Sequence, residues 1–228
     1  MSGKVTEGSR HALLVATKNR GKLVELRALL ADLPVDVVSV DEAGAGGLVV
    51  VEDGATFEAN ATKKALAYAG ATMMLTLADD SGLEVDALGG APGVRSARFA
   101  GETATDAENN VALLAALEGS SITMPPERGA GGYPARFRCV LALHDPYANA
   151  PPTIVEGVCE GGIVGSPRGG GGFGYDPLFL VAGRDQTMAE LDKEKNEISH
   201  RARAFAKVKP LIEKRIHARD EAIRRIVG

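Results

Sequence analysis

The sequence predicts an α/β fold, a mixed central sheet flanked by helices, and two observations carry that expectation. Short apolar runs of strand length alternate with segments of helical periodicity along most of the chain. Two longer stretches, Arg136 to His144 and Ile154 to Val164, are separated by the turn-forming Asp145 to Pro152. They read as an antiparallel pair beside strands joined by helices, hence a mixed sheet.

The elements follow in order. Met1 to Arg10 is short and polar, lacks the apolar core of a signal peptide, and reads as a flexible tail. His11 to Ala16 is an apolar run of strand length. After the polar Thr17 to Gly21, Leu23, Leu26 and Leu30 fall on one helical face, and Pro34 marks the end of that helix. Val35 to Val40 reads as a second strand, and the acidic, glycine-containing Asp41 to Gly54 as a loop. Thr56 is suited to cap a helix that Gly70 would stop. Met73 to Ala78 predicts a strand ending at Asp79-Asp80-Ser81-Gly82. Val111, Leu114 and Leu117 predict a helix over Asp106 to Leu117, and Gly119 to Pro134 predicts a surface loop. A glycine run, Gly169 to Gly172, precedes Phe173, and a helix from about Ser199 carries Ala204, Val208, Leu211 and Ile212 on its apolar side.

Size and charge narrow the function. A chain of 228 residues fits one sizeable core, taken here as a single two-lobed domain over 11–228. The net charge of −4 argues against a basic nucleic-acid binder, so any anionic ligand needs a local cationic cluster. No apolar run approaches a membrane span. Cys139 and Cys159 lie in apolar runs without C-x-x-C spacing. They read first as buried free thiols and second as a disulfide; the first reading implies a reducing, cytoplasmic setting.

Four segments have residue types suited to chemistry. Thr17-Lys18-Asn19-Arg20-Gly21-Lys22 joins a strand to a helix, where backbone N–H groups and lysines suit phosphate. It is not a Walker A loop, since Ala16 and Leu23 stand where that motif needs Gly and Ser or Thr. Asp79-Asp80-Ser81-Gly82 places two adjacent carboxylates at the end of a strand, where open α/β sheets bind ligands. Such a pair repels unless a cation holds it, and oxygen ligands suit Mg²⁺, with Glu52 as a further donor. Read alone, the same four residues are a turn. Gly169 to Asp176 combines a pliable backbone with Phe173 as a stacking surface and Asp176 as an acceptor, or is simply a hairpin loop. Lys193 to Arg201 is a charged run that could be a solvated face, or could bring His200 to a helix N-terminus.

Together and in order, these segments resemble the inosine triphosphate pyrophosphatase family. The resemblance rests on Ala16 to Lys22, Glu52-Asp-Gly-Ala-Thr-Phe57, Asp79-Asp-Ser-Gly-Leu83, Gly89-Gly-Ala-Pro-Gly-Val-Arg-Ser-Ala-Arg98, Gly171-Gly-Phe-Gly-Tyr-Asp-Pro177 and Ile198-Ser-His-Arg201. It implies hydrolysis of ITP, dITP and XTP to the monophosphate and pyrophosphate in a cleft between two lobes. Asp80 would activate water and, with Glu52, contact Mg²⁺. Thr17, Lys18, Asn19, Arg20, Gly21 and Lys22 would hold phosphates, and Ser81 the substrate. Phe173, Gly174, Tyr175, Asp176, Lys195, His200 and Arg201 would recognise the nucleotide, with Arg201 donating to a 6-oxo group, and Asn60 and Lys64 would line the same cleft. A homodimer is implied, with no nucleic-acid or membrane partner. The chain departs from the family pattern at Ala59, where Glu is frequent and only the neighbouring Glu58 is acidic, at Gly170, and in a longer 119–134 segment. Rival expectations are a pyrophosphatase for modified pyrimidine triphosphates and a nucleotide-binding module without turnover.

Overall fold

The computed structural model describes residues 10–120, 132–191 and 194–227. The tail assigned to 1–10, apart from Arg10, and the loop assigned to 119–134, between 121 and 131, lie outside the described residues.

A six-stranded sheet runs in the order β2-β1-β3-β4-β5-β6. Its strands are β1 (His11–Val15), β2 (Val35–Ser39), β3 (Leu75–Val85), β4 (Tyr133–His144), β5 (Thr153–Ile163) and β6 (Phe179–Val181). β1 pairs in parallel with β2 and β3, and every later pairing is antiparallel. The mixed sheet expected from the sequence is therefore present, with β4 and β5 as its long hairpin.

Helices α1 (Arg20–Leu29), α2 (Phe57–Thr72), α3 (Asp106–Leu117), α4 (Lys195–Ile198) and α5 (His200–Val227) complete the fold. Alternation along the strands sorts their side chains between two faces. Leu13, Val15, Leu75, Leu77, Cys139 and Leu141 meet Leu26 of α1, Leu30 just after it, and Ala204, Phe205, Val208 and Ile212 of α5. Leu14, Ala16, Ala78, Val140 and Ala142 meet Phe57, Ala61, Ala65 and Tyr68 of α2 on the other. A third cluster, from Leu83 and Val85 through Leu113, Phe137 and Phe179, fills the far end of the long strands.

Three local expectations are corrected. α2 runs through Gly70 to Thr72, and Met73 in the left-handed region caps it. In α3 the buried stripe is Asn109, Leu113 and Leu117, while Val111 is exposed. Asn109 turns the helix inward by bonding Ala97 O at 3.1 Å and Ala100 N at 2.9 Å. Most consequentially, Asp79 to Gly82 is no strand end: β3 continues through it, with Asp79 opposite Leu141 and Gly82 opposite Arg138.

α5 lies tightly on β5. A Cβ at Gly157 would collide with the carbonyl oxygen of His200 and the amide nitrogen of Ala204, both backbone atoms. Gly157→Ala is therefore expected to destabilise the fold by about 1–3 kcal/mol as α5 is pushed off the sheet, readable as a lowered thermal midpoint.

Candidate active site

The course of β3 decides the site. Asp79 follows Leu75 and Leu77 on the face toward α1 and α5, and Asp80 follows Ala78 on the face toward α2. The two carboxylates therefore point to opposite sides of the sheet, and the expectation of a pair gripping one ion at a turn is corrected. The physical reason is that each meets its own partner on its own face. Both sit just past Leu77, where the parallel pairing with β1 ends, at the carboxyl edge favoured for ligands in such sheets.

Asp79 has a side chain only 2% exposed, with Lys22 Nζ 2.8 Å away and Ser81 Oγ donating at 3.4 Å. Burial works against its charge, but Lys22, Lys64 and Arg201 outweigh it and hold the carboxyl well below the usual carboxylate range. Lys22 is delivered by the start of α1, which Asn19 caps by accepting from Lys22 N at 3.0 Å.

Asp80 accepts from Asn60 Nδ2 and from Ser81 N, each at 3.0 Å, with Lys64 Nζ 4.0 Å away. Burial raises its pKa, and Lys64, Asn60 and Lys22 pull against that rise. The result is a carboxylate with enhanced basicity. Lys64 also contacts Glu52 Oε2 at 2.7 Å. Burial disfavours the Lys64 charge, but Asp79, Asp80 and Glu52 more than offset this and raise its pKa. Asn60 is buried behind Asp80: its Oδ1 accepts from Gly54 N at 2.8 Å while its Nδ2 holds Asp80.

Two cavities meet along β3. One, of 380 Å³, is lined by Thr17, Lys18, Asn19, Lys22, Glu52, Lys64, Asp80 and Ser81 among others. The other, of 110 Å³, is lined by Phe137, Phe173, Gly174, Tyr175, Asp176, His200 and Arg201 among others. Asn19, Lys22, Ser81 and Ala97 border both. Of the expected phosphate residues, Arg20 is exposed and borders neither cavity, and Gly21 packs toward Phe173. A wider open groove of 860 Å³ lies elsewhere, beside β4 and β5. Its Arg138 pairs with Glu84 and Glu156. Glu58 borders that groove and not the 380 Å³ cavity, so it does not take the place of the Glu missing at Ala59.

The smaller cavity is built from distant segments. Arg201, buried at the first turn of α5, lies over the Phe173 ring at 4.9 Å, donates to Ser81 Oγ at 3.1 Å and pairs with Glu25 at 3.1 Å. Burial works against its charge, but Glu25 and Asp79 keep the pKa raised. Lys195 lies 5.2 Å from the same ring and 2.8 Å from Asp176 Oδ2, which also accepts from Phe173 N at 3.0 Å. Gly172 is required here, since at its φ of 76° a Cβ would collide with the Asp176 carboxylate. Asp106 and Asn110 at the start of α3 hold the Gly174 backbone at 2.7 and 3.1 Å, and Tyr175 Oη donates to Ser96 O at 2.8 Å. Glu25, Asp106 and Ser96 are site residues that the sequence motifs do not single out, and Asp79 serves as the partner of Lys22 instead of as half of an ion-gripping pair. The one available signal was Glu25, three places after Lys22 on a helix and so on the same face.

His200 stacks on Phe137 at 4.8 Å and 19°. Burial, then Arg201 and Lys195, hold its pKa well below the ordinary value. The unfolded chain therefore takes up a proton that the folded chain refuses. Stability is full above the free imidazole value of about 6.5 and falls as pH drops below it, by up to about 1.4 kcal/mol per unit. Thermal midpoints measured from pH 7 to 5 should show this acid slope reduced in His200→Gln, with His144, which burial also holds down, contributing to what remains.

The model of the Ham1 family matches residues 13–211. A dITP/XTP pyrophosphatase of Desulforamulus reducens is 52% identical over 201 residues, covering 88% of this chain and 94% of its own. One of Syntrophobacter fumaroxidans is 49% identical, covering 96% and 91%. The structure of a HAM1 protein from Coxiella burnetii superposes with a TM-score of 0.77 at 41% identity, over 90% of this chain and 99% of that one. With matching sequence and fold, the chain belongs to the Ham1 family.

Proposed function

We propose that the protein hydrolyses non-standard purine nucleoside triphosphates, ITP, dITP and XTP, to the monophosphate and pyrophosphate, clearing them from the nucleotide pool. The observation that carries this is the junction of the two cavities at Ser81 and Lys22. An aromatic and guanidinium-lined chamber opens there onto one lined by lysines and carboxylates. Relatives of this chain named dITP/XTP pyrophosphatase support the substrate class.

In this reading the base lies against Phe173 and the triphosphate runs past Ser81 into the larger cavity, the two together forming the substrate cleft of a single domain over 11–228. Asp80 accepts the proton of a water whose oxygen bonds to the α-phosphorus. The bond from that phosphorus to the bridging oxygen breaks, and pyrophosphate leaves. Lys18, Lys22 and Lys64 oppose the substrate's negative charge. Arg201 donates to the 6-oxo group of hypoxanthine or xanthine; the 6-amino group of adenine would set donor against donor.

Mg²⁺ is part of the proposal. The described residues include no cluster of three or more acidic, histidine or cysteine ligands. Glu52 and Asp80 nonetheless both border the larger cavity, with the Lys64 ammonium beside them as a cationic stand-in. Two carboxylates suit Mg²⁺, which takes its other ligands from water and phosphate. Glu52 and Asp80 would hold the ion, which when bound offsets charge on the phosphates.

A homodimer and a cytoplasmic location complete the proposal. The two free, buried thiols, Cys139 and Cys159, support a reducing compartment, and none of the described helices is long and apolar enough to cross a membrane. The test is a pyrophosphate-release panel over ITP, dITP, XTP, GTP, ATP, dUTP and dTTP, with and without Mg²⁺. Preference for ITP, dITP or XTP is expected. Preference for a pyrimidine, or tight binding without release, would replace the reading.

A further inference from the structure

Four cations border the phosphate-side cavity: Lys18, Lys22, Lys64 and Arg98. Lys22 and Lys64 are matched at 2.8 and 2.7 Å by Asp79 and Glu52. Arg98 is not matched in this way. Among the described residues its carboxylate neighbour is Glu102, 3.8 Å from Nε, 70% exposed and shared with Arg95 at 3.6 Å. Such a solvated pair contributes little. The one hydrogen bond of Arg98 runs from Nη2 to the backbone carbonyl of Glu52 at 2.9 Å, a neutral acceptor, and its Nε is buried without a hydrogen-bond partner. A guanidinium is thus anchored through one nitrogen at the wall of a cavity, with its charge largely uncompensated.

Position narrows what it meets. Asn19, Lys22, Ser81 and Ala97 border both cavities and so lie at the junction. Arg98 follows Ala97 in sequence but borders the phosphate-side cavity alone. Like Asp80, it therefore lies away from the aromatic chamber, and its bond to the Glu52 carbonyl places it at the Glu52 wall of the larger cavity. Guanidinium forks match phosphate oxygens in pairs. We infer that Arg98 binds the β,γ-phosphate end of the substrate, the part that departs as pyrophosphate. Its bond to the Glu52 carbonyl sets that end in register with the Glu52 loop. The inference rests on the triphosphate reading above and adds to it a residue that the sequence motif carries without a role.

Inorganic tripolyphosphate, which has no base, and inosine monophosphate, which has no leaving group, separate the possibilities. Their binding is measured calorimetrically with Mg²⁺ for the wild type, Arg98→Met and Arg98→Gln, alongside KM for XTP. Arg98→Gln keeps a donor for the Glu52 carbonyl and serves if the Met variant does not fold. Loss of one charged fork is expected to weaken tripolyphosphate about 10- to 100-fold and to raise KM for XTP comparably, with monophosphate binding within about twofold of wild type. Arg98→Lys is expected to recover part of the loss. Unchanged tripolyphosphate binding overturns the inference. So does an equal loss for both ligands, which would confine Arg98 to bracing the Glu52 loop. Wild-type protein that binds tripolyphosphate through Arg98 yet releases no pyrophosphate from XTP would instead defeat the hydrolase reading and leave the phosphate contact standing.

Discussion

Asp80→Asn is expected to lower turnover of XTP by about a thousandfold or more while the protein remains folded. The size follows from losing a positioned proton acceptor. The retained fold follows from the surroundings of this side chain. Asp80 Oδ1 accepts from Ser81 N and its Oδ2 from Asn60 Nδ2, and an asparagine oxygen can keep one of these bonds. Its new amino group would face Asn60 Nδ2, whose reorientation is resisted by the Asn60 Oδ1 bond to Gly54 N. That conflict is offset in part because burial already disfavours the Asp80 charge, so neutralising it relieves desolvation. The thermal midpoint should therefore shift by only a few degrees, on the order of 1 kcal/mol. Pyrophosphate release and thermal unfolding on the same preparation check both halves. Activity near wild type would remove Asp80 from the reaction.

Arg201→Met should have the largest effect on stability of any single change in the site, and should also blur base selection. The guanidinium is buried against Glu25, whose side chain is only 10% exposed and whose Oε1 already has no hydrogen-bond partner. Removing the cation leaves an uncompensated buried carboxylate, a loss of about 3–5 kcal/mol, which lowers the midpoint by roughly 10 °C in a chain of this size. Adding Glu25→Gln should recover much of that loss, because the stranded charge goes with it. In the double variant, the ratio of kcat/KM for ITP over ATP is expected to fall about tenfold. An equal loss for both nucleotides would mean that Arg201 braces the site without reading the base.

The contrast between these two residues shows what was legible beforehand. α1, β1, β2 and the β4–β5 hairpin follow from apolar spacing and turn residues, which act over a few positions. β6 was not foreseen, since three residues, Phe179 to Val181, are too few to show a period. The outward Val111 was misassigned because Asn109, a polar residue, anchors the buried stripe of α3. The run Asp79 to Gly82 has turn composition, yet it pairs as a strand. Lys22, Asn60 and Lys64 answer its carboxylates, and Gly82 leaves room for Gly93 O, which a Cβ would approach to 2.6 Å.

The amino-acid order by itself determined the alternating elements, the net charge of −4, and the set of segments that bear the chemistry. Folding decided that Asp79 supports Lys22 on one face of β3 while Asp80 meets Asn60 and Lys64 on the other. It also decided that Arg201, 120 positions beyond Ser81, donates to it. Periodicity is a property of neighbours in sequence, whereas the charge and basicity of a buried carboxylate are set by whichever groups packing brings within a few ångströms.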